Sequence, residues 1–273
     1  MNNFLQISDL HFGNNFFFSP SVRDPIVTDS LTNLIGELNP DFLVVTGDLT
    51  QRAREKEFLA AKTWLQAFEK PFICIPGNHD IAPYWNPMQR LFKPYLMYKQ
   101  VINRPNLLRQ KFGPFNFYSL TTVRATRVDR GWITVNDWKK FLALKPGKQD
   151  GIKVLLTHHP VLPPTGAKKS TYILNFEKYL DRLINWDFKL FLSGHIHFPH
   201  FETVVRNNKN AFFITCASST SNRFRRNYPG KNMAIFYQLK NDKLLVTPFV
   251  CEKKGWQKPC PIFSPLKKFS YSL

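Results

Sequence analysis

Five short apolar runs punctuate residues 3–195, and each one stops at a cluster of Asp, Asn or His. They are NFLQIS (3–8), DFLVVTG (41–47), PFICIPG (71–77), IKVLLTH (152–158) and FKLFLSGH (188–195). Runs this short and this continuously apolar predict strands buried on both faces. Between them, residues 24–38, 54–68, 136–144 and 172–185 place apolar side chains at helical spacing, as in Phe58, Ala61 and Leu65. Strand and helix in alternation predict an α/β domain. Beyond residue 200 the pattern becomes HFETVV, NAFFIT, NMAIFYQL and KLLVTPFV with polar turns between, which reads as a β meander closing the domain.

The polar clusters are Asp9 with His11, Asp48, Asn78-His79-Asp80, His158 with His159, and His195 with His197. In α/β sheets a ligand site lies beyond the carboxyl ends of the strands, so clusters at five such ends predict one shared site. Every histidine of the chain except His200 belongs to it. The i, i+2 spacing of Asp9/His11 and His195/His197 predicts extended backbone that returns both side chains of a pair to one side. Carboxylate, imidazole and amide donors without thiolate suit Mn, Fe, Zn or Mg in a reactive centre better than a structural zinc. So many potential ligands exceed what one ion takes. Two ions roughly 3.5–4 Å apart are the common device for holding both nucleophile and phosphoryl oxygens.

The ordered pattern D-x-H, G-D, G-N-H-D, H-x-P and G-H-x-H over residues 9–197 resembles that of the calcineurin-like metallophosphoesterases. GDLTQR (47–52) and the length look most like the bacterial class III cyclic-nucleotide phosphodiesterase branch. The resemblance implies a four-layer αββα sandwich, two mixed sheets flanked by helices. It implies that Asp9, His11, Asp48 and His197 hold one divalent metal, while Asp48, Asn78, His158 and His195 hold the other, with Asp48 bridging. Mn or Fe stands foremost, with Zn, Co or Mg as alternatives. The implied reaction is phosphodiester hydrolysis by attack of a metal-bound hydroxide. His79, outside both ligand sets, would give a proton to the leaving oxygen or stabilise phosphoryl charge. Asp80 would orient it or pair locally, and His159 would back the ligands or face substrate.

One departure narrows the class. Protein phosphatases of this kind read G-D-x-x-D-R-G, and here Gln51 stands where their histidine-supporting Asp would be, which argues against a protein substrate. Arg52 would contact a phosphate oxygen or cap the following helix. Arg223, Arg225 and Arg226 (in SNRFRRNYPGK) are expected to bind substrate phosphate. Residues 83–112, basic and aromatic with no regular element expected, would form a lid or specificity excursion over the site. A cyclic-nucleotide-like diester is the first substrate reading. A lipid-linked sugar-nucleotide pyrophosphate of the UDP-diacylglucosamine type is the alternative, with Phe16–Phe18 available to an acyl chain. A nuclease ranks below both because no second segment for gripping a duplex is visible. A metal-binding protein without turnover is the remaining class, and the completeness of the motif set argues against it.

Composition bounds the partners. The 38 Lys and Arg against 19 Asp and Glu give a formal charge of +19, which favours anionic ligands and leaves peripheral contact with an anionic membrane open. No apolar run is long enough to span a bilayer, and MNNFLQISDLHF lacks a signal-peptide pattern, so the expected location is cytoplasmic. Cys74, Cys216, Cys251 and Cys260 form no CxxC pair; reduced thiols are expected, with a Cys251–Cys260 bridge left open. Residues 1–273 read as one domain with a basic extended tail at 252–273.

Overall fold

The computed structural model describes residues 1–13, 23–103, 109–127, 129–148, 151–163, 171–222, 231–241, 243–252, 263–265 and 269–272. Strands β1 (Asn3–Ile7), β2 (Leu43–Val45) and β3 (Phe72–Cys74) run parallel, with Leu5 opposite Leu43 and Leu43 opposite Phe72. A second sheet holds β4 (Arg109–Phe112), β5 (Phe115–Ser119), β6 (Ile152–Leu156), β7 (Phe188–Ser193), β8 (His200–Arg206) and β9 (Lys209–Thr215) in the order β4-β5-β6-β7-β9-β8. β10 (Lys231–Lys240) and β11 (Lys243–Glu252) return to the first sheet, where β10 lies antiparallel to β1. The short strands β12 (Phe263–Pro265) and β13 (Phe269–Ser272) both pair with β11.

The period-two geometry of a strand sorts its side chains into layers. In β1, Leu5 and Ile7 face helices α1 (Pro25–Leu38) and α2 (Glu55–Gln66), joining Leu31, Ile35, Phe58 and Leu65. Phe4 faces the other way, into a core shared with Phe117, Val154, Leu190 and Ile235. In the second sheet Leu155 and Phe191 turn outward to α4 (Val135–Ala143) and α5 (Glu177–Asn185), where Phe141, Leu180 and Leu183 cover them. Three apolar interfaces between four layers, two of helices and two of sheet, give the αββα sandwich. Phe4 sits at the centre, stacked on Phe42 and Tyr237 with centroids 5.2 and 4.4 Å away. Beside it Gln6 crosses the same interface: its amide donates to the Ser193 carbonyl at 3.0 Å and accepts from the Tyr237 hydroxyl at 2.6 Å.

Three expectations change. The strands after residue 200 form no single meander, because β8 and β9 complete one sheet while β10 and β11 complete the other. Residues 83–112 do contain regular elements: α3 (Pro87–Phe92), a π-helical turn at Tyr98–Ile102, and β4. α3 starts where Asn86 accepts from the Gln89 amide and Pro87 occupies the first turn, and β4 is an edge strand whose sequence lacks an apolar run. The helix expected at 172–185 begins only at Glu177, since Ile173 is held in a bridge to Gly131. Cys74, Cys216 and Cys251 are buried, and Cys260 lies outside the described residues. Among the described residues no helix is long and apolar enough to cross a membrane.

Candidate metal centre

The loops leaving β1, β2, β3, β6 and β7 meet where the carboxyl ends of the two sheets adjoin. Past the end of β1 the chain runs alongside the β2 loop, with Asp9 N–H on the Gly47 carbonyl at 3.0 Å and His11 N–H on the Asp48 carbonyl at 2.9 Å. Asp9, His11, Asp48, His195 and His197 all have left-handed backbone, with φ of 52°, 48°, 52°, 73° and 57°. The expected extended pairs are therefore replaced by tight turns beyond Ile7 and Ser193. Left-handed backbone costs roughly 1–2 kcal/mol per non-glycine residue, and sparsely populated backbone of this kind gathers at functional sites.

Asp48 divides its carboxylate between two groups of donors. Oδ1 accepts from the His79 N–H at 2.8 Å and lies 3.5 Å from His158 Nε2, while Oδ2 lies 3.8 Å from His11 Nε2. On the Oδ1 side, Asn78 Oδ1 is 2.9 Å from His158 Nε2 and 3.0 Å from His195 Nδ1. On the Oδ2 side, His11 Nε2 is 3.2 Å from His197 Nε2, which is 3.3 Å from Asp9 Oδ1. The second Asp9 oxygen accepts from the Ser8 hydroxyl and the His195 N–H. Potential ligand atoms of Asp9, His11 and His197 lie within 4.8 Å of one another, as do those of Asp48, His158 and His195.

The hydrogen bonds behind the imidazoles decide what the site can hold. His158 Nδ1 lies 2.9 Å from the Thr46 carbonyl and His195 Nε2 lies 3.1 Å from the Asp129 carbonyl. A carbonyl only accepts, so each of those nitrogens carries the proton. The opposite nitrogen of each ring faces Asn78 Oδ1, and a ring whose single proton lies on the carbonyl side offers a lone pair there. Imidazole nitrogens, an amide oxygen and a carboxylate gathered at one place form a donor set that fits a cation. Burial opposes ionisation of Asp9, but its hydrogen bond to His197 and the neighbouring imidazoles outweigh that, and its carboxyl is held well below the usual range.

His79 and Asp80 separate in role. His79 Nδ1 donates to the main-chain carbonyl of Gln51 at 2.9 Å and its ring stands edge-on to His11. One nitrogen of His79 also falls within 4.8 Å of potential ligand atoms of His11 and Asp48. Among the described residues the Asp80 carboxylate makes its hydrogen bonds to groups other than the His79 ring. It accepts from the N–H groups of Gly77, Leu49 and Thr50 and from the Thr50 hydroxyl, tying the β2 and β3 loops together. Burial, then the charge of Asp48, pushes its carboxyl up to about 7. His159 is sealed, with Nδ1 on Thr122 Oγ1 at 2.9 Å and its ring tilted against His195 at 4.4 Å. Burial, then the neighbouring His195 and His158, hold it neutral by pulling its pKa well below the ordinary value.

Arg52 is half-buried, and its N–H donates to Glu57 at 2.8 Å, so Glu57 rather than Arg52 caps the start of α2. Arg223, Arg225, Arg226 and Phe16–Phe18 lie outside the described residues. The supports that sequence reading missed are Ser8, Thr122 and the carbonyls of Thr46, Gln51 and Asp129. Carbonyl partners leave no side-chain signal. The glycines did: a Cβ on Gly77 would stand 2.1 Å from Asp48 Oδ1, and one on Gly47 2.3 Å from His158 Nδ1. Both motif glycines are therefore clearance for the donors.

A two-sheet sandwich with these donors at its shared edge defines a dimetal phosphoesterase scaffold, and the chain belongs to the calcineurin-like phosphoesterase family, whose model matches residues 3–199. It is accordingly a metal-dependent phosphoester hydrolase. It is similar to a probable cyclic nucleotide phosphodiesterase of Vesicomyosocius okutanii, 26% identical over 197 residues that cover 71% of this chain and 77% of that one. It is also similar to the glycerophosphodiester phosphodiesterase GpdQ of Enterobacter lignolyticus, 28% identical over 174 residues, covering 59% of this chain and 58% of the relative. A dimetal phosphatase structure from Danio rerio shares the fold at a TM-score of 0.65 and 13% identity, covering 99% of this chain and 98% of its own.

Proposed function

We propose that the protein hydrolyses a small phosphodiester of the cyclic-nucleotide kind. Asp9, His11, Asp48 and His197 would hold one divalent metal and Asp48, Asn78, His158 and His195 the other, with Mn or Fe the foremost candidates. The observation that carries this reading is the convergence of His158 Nε2 and His195 Nδ1 on Asn78 Oδ1 beside the divided Asp48 carboxylate. The similarity to a probable cyclic nucleotide phosphodiesterase over most of both chains supports the substrate class.

A divalent pair, when bound, supplies Lewis acidity at the phosphoryl oxygens and lowers the pKa of water. The remaining work falls to the chain. Gln51 pins the Nδ1–H of His79, leaving Nε2 as the nitrogen that passes a proton to the departing oxygen or stabilises charge on it. His159 and Asp129 hold the His195 ring, and Thr46 holds that of His158, so neither must reorient during a turnover. Arg52, which precedes α2, is our candidate phosphate contact, with Arg223, Arg225 and Arg226 as others.

The experiment is hydrolysis by purified protein loaded with Mn²⁺, tested on cyclic nucleotides, glycerophosphodiesters and a diacylglucosamine nucleotide pyrophosphate. Preference for the cyclic diesters supports the reading. Preference for the lipid-linked pyrophosphate would transfer it to the alternative, and absence of turnover on all three would leave a metal-binding protein.

A further inference from the structure

We propose that the segment Tyr84–Phe92 is a docking surface for an anionic phospholipid bilayer, placed beside the metal centre; the inference does not depend on which phosphodiester is hydrolysed. Five of the ten exposed large apolar side chains among the described residues fall here: Tyr84 57%, Trp85 61%, Met88 67%, Leu91 57% and Phe92 72%. Within α3, Met88, Leu91 and Phe92 stand at i, i+3 and i+4, which places them on one helix face. That face is turned to solvent.

The segment is built to hold this face outward. Its base is closed by Ala82 N–H on the Pro94 carbonyl at 2.8 Å. On the opposite side of α3, Arg90 is buried and donates to the carbonyls of Ala82 at 2.6 Å and Ala125 at 2.8 Å, with its guanidinium 3.8 Å over the Tyr84 ring. Tyr95 donates to the Val123 carbonyl at 2.7 Å. A loop that merely failed to pack would not be anchored by a buried arginine. Exposed apolar side chains on a fixed support mark an interaction site.

Charge selects the occupant. Residues 81–128 contain no Asp or Glu, while the chain as a whole carries +19. Lys93, directly after Phe92, and Lys99 in the following turn are exposed, and the Arg54 guanidinium is 5.8 Å from the Trp85 ring. Trp, Tyr and long apolar side chains bordered by cations match the interfacial zone of a bilayer, where apolar insertion and anionic headgroups each add attraction. Asp80 ends the turn at the metal centre and Tyr84 follows four residues later, so the two are within roughly 15 Å even if the chain is fully extended. Docking would bring the mouth of the site to headgroup level.

The test is sedimentation of the Mn²⁺-loaded full chain with vesicles of phosphatidylglycerol in phosphatidylethanolamine, and with vesicles of phosphatidylcholine alone. The wild type should partition onto the anionic vesicles. The triple variant Met88→Ser/Leu91→Ser/Phe92→Ser should lose about tenfold or more of that partition while cleaving a soluble chromogenic diester as before. Lys93→Glu/Lys99→Glu, which changes only exposed side chains, should weaken binding to anionic vesicles independently of the apolar face. Equal partition of wild type and triple variant, no partition of the wild type, or equal binding to both vesicle types would overturn the proposal. So would a wild-type dimer, seen by sedimentation velocity, that dissociates in the triple variant without vesicle binding; that result would assign the face to a second copy. Turnover of the soluble diester is read separately, so failure here is distinguishable from failure of the proposed reaction.

Discussion

His79 is held by the main chain of Gln51: its Nδ1 donates to that carbonyl at 2.9 Å, at the position where protein phosphatases of the family offer an aspartate. A carbonyl fixes the tautomer without adding negative charge. His79→Ala should therefore retain two metals by elemental analysis yet lose roughly 10²–10⁴-fold in turnover. Gln51→Ala, which keeps the carbonyl, should stay within about threefold of wild type, since losses beyond that are the mark of a group acting in the transition state. A large loss in the Gln51 variant would show that its side chain, not its main chain, supports the histidine.

Asp48 faces both donor groups with different oxygens. Asp48→Ala should lower the bound metal below one equivalent and remove activity, because either ion loses a ligand. Retention of one full equivalent, measured by plasma emission on the dialysed protein, would show that the second set holds its ion without the bridge.

Gly77→Ala and Gly36→Ala should move stability in opposite directions. The new Cβ at Gly77 would meet Asp48 Oδ1 at 2.1 Å and its main-chain nitrogen at 2.3 Å, whereas nothing lies within 4 Å of the Cβ position at Gly36 in α1. Overpacking of this kind costs about 1–3 kcal/mol, while a helix-interior Gly→Ala change gains roughly 0.5–1 kcal/mol. Urea denaturation of the two variants checks both signs, and the Gly77 variant should also bind metal more weakly.

Chelation should lower the melting temperature. Metal at a hundredfold excess over its dissociation constant stabilises the folded state by about 2.7 kcal/mol, and a chain of this size shifts by about 2–4 °C per kcal/mol. Calorimetry with and without chelator, followed by Mn²⁺ addition, should show a reversible fall of several degrees. An unchanged transition would mean that the donor atoms are held together by the protein alone.

Much of this arrangement was legible because two physical demands write directly into sequence. Strands buried on both faces must be apolar throughout, which exposed β1, β2, β3, β6 and β7. Donors suited to a metal are carboxylate, imidazole or amide, which singled out the side chains from Asp9 to His197 that the fold brings together. Other features have no such imprint. The carbonyls of Thr46, Gln51 and Asp129 belong to residues of any type. The left-handed turns at Asp9 and His195 follow from where their strands stop, and their spacing matches an extended pair equally well. β9 and β10 carry similar alternation, so their assignment to different sheets depends on the connection between them and not on either strand.

The first sheet has a consequence for how the molecule is made. Leu5 pairs on one side with Leu43 and on the other with Phe236. At about 5–20 residues per second, the first neighbour is synthesised tens of seconds before the second. Throughout that interval β1 carries an open, apolar edge, the kind of surface that recruits other chains. Asp9 waits as well, because its carbonyl is fastened by the Ser218 hydroxyl at 2.7 Å. Every other donor of the site, His197 included, is therefore synthesised before the Asp9 carbonyl meets its partner, although Asp9 precedes them all in sequence.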